Sequence, residues 1–263
     1  MPNRTLACVF AHPDDDAYGV AGSVALHADE PDFRFVLVHA TFGEHGDIRD
    51  GFAATRQTLG AVRRAEDEAA WHALGRVPDR HEWLGLPDGG VADAPFEEVV
   101  AAVARILDEE DPSVVVTFGP DGIFGHPDHI AIGAATDEAF TRLRSEDRSG
   151  FQRLAHGAVP QSVFERWNRQ REELGLYTFD PTRTYHMRGV PDDQIRITVD
   201  CRAFSSRIVA GLREHKSQLH VMSDDPTNTE QWERRVGREW YRIAWPDHAP
   251  DAPMLTDLFD DLD

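Results

Sequence analysis

Two short segments carry side chains whose types and spacing could do chemistry together. Ala11-His12-Pro13-Asp14-Asp15-Asp16 sets one imidazole and three carboxylates directly after the apolar run Thr5 to Phe10, and His126-Pro127-Asp128-His129 sets two imidazoles and a carboxylate shortly after the run Val114 to Phe118. Two imidazoles with one carboxylate are the ligand set of hydrolytic zinc sites that keep a fourth position for water. His12 and Asp15 are spaced so that one turn can aim both inward, while His126 and His129 lie one helical turn apart at a helix start. Asp14 is then the carboxylate left beside the water, placed to take its proton. The remaining histidine, His126, can stabilise a developing oxyanion or protonate a leaving amine. Asp128 is expected to orient His126 and favour its charged form. Asp16 reads as a supporting or helix-starting carboxylate.

The elements that must position these loops alternate. Thr5 to Phe10 and Phe33 to His39 read as strands joined by a crossover helix over Gly19 to His27. Apolar residues recur at helical spacing over Arg56 to Leu74, ending at Gly75, and over Phe96 to Glu110, before Asp111-Pro112. The β-branched run Val114 to Phe118 suits a strand buried on both faces of a parallel sheet, followed by a helix from Asp128 to Leu143. Ile195 to Val199 reads as a further strand, and Arg202 to Gln218 as an amphipathic helix capped by Asp200. The irregular stretch Ser145 to Arg188 is expected to be an active-site loop or subdomain, and the chain from Ser223 onward an acidic tail. The expected fold is a single α/β domain over residues 1–263, a Rossmann-like three-layer sandwich with a mostly parallel sheet. In such sheets ligands gather beyond the carboxyl ends of the strands, where both His/Asp segments fall.

Composition narrows the function classes. With 263 residues and 41% apolar content the chain can bury a substantial core. Cys8 and Cys201 are its only cysteines, so neither a disulfide framework nor a thiolate zinc cluster is supported. A formal charge of −20 disfavours nucleic acid and anionic membranes, which require clustered Lys and Arg. No secretory leader or membrane-length apolar run is evident, and the chain reads as soluble and cytoplasmic. The sequence leaves the oligomeric state open, a homo-oligomer included.

The His/Asp segments resemble those of the LmbE/PIG-L-like zinc-dependent N-deacetylases, with AHPDDD in place of the usual AHPDDE and HPDH matching outright. The resemblance continues through Thr41-Phe42-Gly43-Glu44, Arg63-Arg64-Ala65-Glu66, Leu84-Gly85-Leu86-Pro87-Asp88-Gly89, Gly189-Val190-Pro191-Asp192 and His215-Lys216-Ser217-Gln218. It implies His12, Asp15 and His129 as metal ligands, with iron competing with zinc for the site, Asp14 as general base and His126 as the electrostatic or acid partner. It also implies that Arg63 and Asp88 touch the sugar of an N-acetylglucosaminyl substrate, although a helix-face ion pair and a turn aspartate are equally good readings of those two. Two departures stand out: Asp16 replaces glutamate, and Phe124 stands where some sugar-inositol deacetylases carry a tyrosine. The segment Gly189 to Gln218 is similar to mycothiol-pathway deacetylases and amidases.

The expected activity is removal of an N-acetyl group from an amino sugar or glycoside, releasing acetate and a free amine. A mycothiol-conjugate-type amidase and a catalytically silent sugar-binding protein are the alternatives. A dinucleotide-binding protein is disfavoured because Gly-x-Gly-x-x-Gly is missing after Phe10 and carboxylates stand where pyrophosphate would sit. A two-carboxylate glycosidase would leave the imidazoles without a task.

Overall fold

The computed structural model describes residues 4–145, 147–223, 225–249 and 252–262. Seven strands, β1 (Arg4–Phe10), β2 (Phe33–His39), β3 (Arg80–Trp83), β4 (Val114–Phe118), β5 (Arg153–Gly157), β6 (Ile197–Asp200) and β7 (Arg238–Trp245), form one sheet in the order β3-β2-β1-β4-β5-β7-β6. The first five pair in parallel, and β7 is antiparallel to both β5 and β6. The chain steps outward from β1 through β2 to β3 and then returns to place β4 on the other side of β1. The carboxyl ends of β1 and β4 therefore flank the switch point of the sheet, and the two His/Asp segments leave from those ends.

The helices are α1 (Asp15–Gly19), α2 (Ala21–Leu26), α3 (Leu59–Leu74), α4 (Phe96–Glu110), α5 (Gly122–Gly125), α6 (Pro127–Leu143), α7 (Gln161–Glu173), α8 (Ser205–Leu212), α9 (Leu219–Met222) and α10 (Thr229–Arg235). Right-handed crossovers require α3, leading outward from β2, and α4 and α6, leading the other way, to cover opposite faces. Accordingly α4 packs on α6, while α3 packs on α8. Buried Leu6 to Phe10, Phe35 to Val38 and Val114 to Val116 form the middle layer, and each such aliphatic side chain withdrawn from water stabilises the fold by about 1.5–3 kcal/mol. Helix α6 sits close on β4 because Gly133 has no side chain: a Cβ there would lie 2.5 Å from the Phe118 carbonyl oxygen. That contact sets the depth at which the amino end of α6 carries its histidines. No helix among the described residues is long and apolar enough to cross a membrane.

Three expectations differ from the structure. The stretch Ser145 to Arg188 supplies β5, paired with β4, together with α7, so much of it is framework rather than loop; Glu146 within it lies outside the described residues. The helix expected to Gln218 ends at Leu212, and His215, Ser217 and Gln218 occupy a buried turn that Glu66 of α3 holds by accepting from the Ser217 N–H (2.7 Å) and Oγ–H (2.6 Å). The tail contains β7, inserted inside the sheet. Its Glu239 is buried and accepts from the N–H groups of Gly22 (2.6 Å) and Ser23 (2.9 Å), which binds the strand to α2. Composition hid β7 because it has no continuous apolar run: Arg238 and Arg242 stay at least partly exposed, and a glutamate, Glu239, is buried together with Tyr241.

The residues that follow β7 also fold back, placing Leu258 and Phe259 in the core. Asp257 meets His27 Nε2 at 2.9 Å, while His27 Nδ1 faces Glu30 at 3.0 Å, and Arg4 in turn pairs with Glu30. Burial opposes charge on His27, but Asp257 and Glu30 outweigh it and raise its pKa above the ordinary value. A histidine whose folded pKa is raised contributes stability that is fully present below its unfolded pKa and is lost as pH rises through the folded one. His27→Gln is therefore expected to lower stability by about 1 kcal/mol at pH 5.5, with the deficit narrowing as the pH becomes alkaline. Urea melts of both proteins across that range measure it, and a deficit that grows with pH would contradict the assignment.

Candidate metal centre and active site

The loop after β1 is fixed before it reaches the site. Thr41, just past β2, donates both its N–H (3.0 Å) and its Oγ–H (3.1 Å) to the Ala11 carbonyl. Asp15 opens α1 and accepts from the His12 N–H at 2.8 Å, closing a tight turn. Between them Asp14 has φ 106°, a left-handed conformation that few residues other than glycine adopt. Strain of this kind persists where surrounding contacts determine the backbone. Here the Asp14 N–H donates to Asp16 (3.2 Å), and Arg63 donates to the Pro13 carbonyl (2.6 Å) and the Asp14 carboxylate (3.1 Å). Arg63 reaches that position past Gly43, where φ is 62° and a Cβ would lie 2.2 Å from the guanidinium.

The second loop turns through α5, where Ile123 has φ 65°. The kink presents the Gly122 carbonyl to His129 Nδ1 at 3.1 Å. A carbonyl can only accept, so Nδ1 carries the proton and Nε2 is left with its lone pair. His126 caps α6, and the Asp128 N–H donates to its Nδ1 at 3.1 Å, so the proton of neutral His126 is on Nε2.

The two loops meet at His12. Its Nδ1 lies 3.2 Å from His129 Nε2 and 3.3 Å from Asp15 Oδ2, and His129 Nε2 lies 3.3 Å from Asp15 Oδ1. Bonds of about 2.0–2.1 Å at tetrahedral angles separate neighbouring ligand atoms by about 3.3–3.4 Å, so the two imidazole nitrogens stand at that spacing and the Asp15 carboxylate faces both, one oxygen toward each, as a tetrahedral cation site requires. On the far side, His12 Nε2 faces Asp88 (3.0 Å) and Asp128 (3.3 Å), two acceptors that fix its proton there and leave Nδ1 to the cation. Burial disfavours charge on His12, but Asp128, Asp15 and Asp88 raise its pKa well above the ordinary value; the extra proton they would hold on Nδ1 is the one a cation displaces. Burial likewise acts against the Asp15 carboxylate, yet His129 and His12 hold its pKa well below the usual range.

A second grouping, His12, His126 and Asp128, also has its donor atoms within 4.8 Å of one another. Its atoms are already engaged. Asp128 accepts from the N–H groups of Gly89 (2.7 Å) and Val91 (3.1 Å), and His126 Nδ1 from the Asp128 N–H. The set His12, Asp15 and His129 is the one with free lone pairs converging.

The remaining residues singled out in the sequence take definite places. Burial pushes the Asp14 carboxyl up to about 7, with Arg63 and His12 pulling it down and Asp15 and Asp16 adding to the rise. A bound divalent ion would lower it again. Burial and the neighbouring His12 and His129 push His126 down to about 4, so at neutral pH it is an uncharged Nε2–H donor. Asp128 contacts His12 through its carboxylate and His126 through its backbone N–H; the expected orientation of a charged His126 by the Asp128 carboxylate is replaced by support of His12. Arg63 and Asp88 are both buried, one committed to Asp14 and the other to His12 and the His45 N–H (2.7 Å). They stand behind the triad. Phe124 packs edge-on to His129, with ring centres 4.7 Å apart, and exposed Tyr185 stands 5.2 Å from the His126 ring, its N–H bonded to the Phe124 carbonyl (2.8 Å). Tyr185 had no local signal, since it arrives from a segment nearly sixty residues away.

Residues 7–140 match the family described as PIG-L: GlcNAc-PI de-N-acetylase. The chain belongs to the PIG-L family. Among curated relatives it is 30% identical over 286 residues to 1D-myo-inositol 2-acetamido-2-deoxy-alpha-D-glucopyranoside deacetylase 2 of Saccharopolyspora erythraea, with 97% of this chain and 99% of the relative covered. A protein of the same description from Acidothermus cellulolyticus is 31% identical, with 90% and 88% covered. Among solved structures, the N,N'-diacetylchitobiose deacetylase of Pyrococcus horikoshii superposes with a TM-score of 0.61 at 21% identity, covering 91% of this chain and 83% of that one. The last likeness is one of fold.

Proposed function

We propose that the protein is a zinc-dependent N-deacetylase acting on an N-acetylglucosaminyl glycoside, with His12, Asp15 and His129 as metal ligands, Asp14 as general base and His126 as oxyanion donor. The observation that carries this reading is the convergence of His12 Nδ1, His129 Nε2 and the Asp15 carboxylate at 3.2–3.3 Å, with the Asp14 carboxylate, held by Arg63, on the adjacent residue. When bound, the ion supplies Lewis acidity at the scissile carbonyl and lowers the pKa of water. Asp14, held by Arg63, accepts the proton of the attacking water. The Nε2–H of neutral His126 donates to the oxygen that gains charge as the carbonyl becomes tetrahedral. Because His126 has no proton to give away at neutral pH, the proton that leaves with the amine comes from Asp14, which is left ionised again. Water and amide are converted to acetate and free amine, and both residues return to their starting states.

Supporting the substrate class, the curated relatives are described as deacetylases of an acetamido-glucopyranosyl inositol and span nearly the whole chain. The test is acetate release by zinc-loaded protein from that glycoside, with N,N'-diacetylchitobiose and a mycothiol conjugate as parallel substrates. Turnover of the inositol glycoside above the other two is expected. Faster cleavage of the conjugate would make the protein an amidase, and binding of the glycoside without acetate release would make it a silent binder.

A further inference from the structure

Beneath the catalytic loop lies a second group of buried ionisable side chains that the proposed reaction does not use. His39 ends β2, His81 lies in the edge strand β3 one position before the residue opposite Leu37's neighbour Val38, and Asp67 projects from the middle of α3. His39 Nδ1 and His81 Nε2 are 3.0 Å apart, and Asp67 Oδ2 is 3.6 Å from His81 Nε2. His39 and Asp67 are fully buried, and neither oxygen of Asp67 has a hydrogen-bond donor. A carboxylate enclosed without donors is strongly disfavoured unless a charge or a proton compensates it.

We propose that His39, Asp67 and His81 form a second divalent-cation site, distinct from the His12-Asp15-His129 triad, that takes a zinc-like ion and ties β2 and β3 to α3. The donor atoms lie within 4.8 Å of one another, and two imidazoles with a carboxylate suit zinc, cobalt or nickel better than magnesium or calcium. The tautomers agree. His39 Nε2 faces Asp16 Oδ1 at 3.2 Å, an acceptor that retains the proton on Nε2 and turns the Nδ1 lone pair toward His81. Asp16 also accepts from Trp71 Nε1–H (2.5 Å) and the Asp14 N–H. Asp67, with the two imidazoles, supplies a mixed nitrogen and oxygen donor set for one divalent ion, and the Asp16 carboxylate stands directly behind His39. Trp83 stacks on both imidazoles, with ring centres 4.6 Å away, and seals the group on one side. Asp16, the short acid standing where the resemblance expects glutamate, is thus the link between this group and the catalytic turn.

The alternative compensation is a proton: Asp67 neutral and hydrogen-bonded to Asp16, with no ion. Counting ions in the full chain separates the two. The protein is stripped with chelator, dialysed free of it and titrated with Co2+, reading equivalents bound and visible absorption. The wild type is expected to take two equivalents, His129→Ala one, His81→Gln one, and the double variant none at this site. Because a residual His12-His126-Asp128 grouping could retain Co2+ in His129→Ala, the decisive comparison is the loss on adding His81→Gln in that background. Asp67→Asn, which keeps the shape of the side chain, must lose the same equivalent and serves where His81→Gln does not fold. Failure of the catalytic assignment would leave the effect of His81→Gln intact. An uptake that neither His81→Gln nor Asp67→Asn reduces, whether the wild type binds one equivalent or two, overturns the proposal.

Discussion

Asp14→Asn is expected to keep its catalytic metal and lose about 10²–10⁴-fold in kcat, the range that a positioned general base supplies. The amide of asparagine fills the same space and still accepts from Arg63 at the position now 3.1 Å away, so the strained turn and the ligands on either side are retained. What is lost is an oxygen able to take a proton from water and return it to the amine. Zinc content by elemental analysis and acetate release by coupled assay give the two halves of the result, and KM should move little because Asp14 acts on the reacting atoms. Full turnover in this variant would remove the base assignment and, with it, the route by which the amine is protonated.

His129→Ala is expected to abolish turnover by removing the ion, with activity falling to background and no recovery in excess zinc. The two imidazole nitrogens are 3.2 Å apart and each lies 3.3 Å from one oxygen of the Asp15 carboxylate, so loss of His129 leaves two donors and a cavity. Chelation of the wild type should cause the same loss, but reversibly. Asp128→Asn provides the contrast. Its oxygen supports His12 from behind rather than meeting the ion, and loss of such support costs about 10–100-fold in metal affinity or activity, so excess zinc should restore most of its turnover. Equal, irreversible losses in both variants would mean that Asp128 belongs to the ligand set, as the His12-His126-Asp128 grouping would have it.

Both expectations concern residues that local sequence made visible, and the reason is geometric. A pair of reactive side chains separated by three residues, close after an apolar run, is positioned by one turn and one strand end. His12 with Asp15, and His126 with His129, could therefore be read as pairs before any tertiary contact was known. The mostly parallel sheet was legible for a similar reason, since alternating strands and helices leave few right-handed connections. Strands without an apolar run were not legible. Arg80–Trp83 and Arg238–Trp245 are half-buried and rich in charge, and only pairing with β2, β5 and β6 makes strands of them.

The sequence alone determined which residue types stand at the two loop ends, and therefore the chemistry they can support. Tertiary structure decided which atom of each side chain faces which partner. Asp128 lies two residues from His126 yet its carboxylate meets His12, more than a hundred positions away, because α6 directs it toward the β1 loop and the Gly89 and Val91 N–H groups hold it there. Arg63 and Asp88 were equally open to contact with a sugar or with the protein until burial enclosed them. His39, Asp67 and His81 belong to three elements and no common motif; the β2 and β3 register and the docking of α3 bring them together. Spacing along a chain constrains neighbours within a turn, whereas the partner of a buried donor is fixed only when distant elements pack and exclude water.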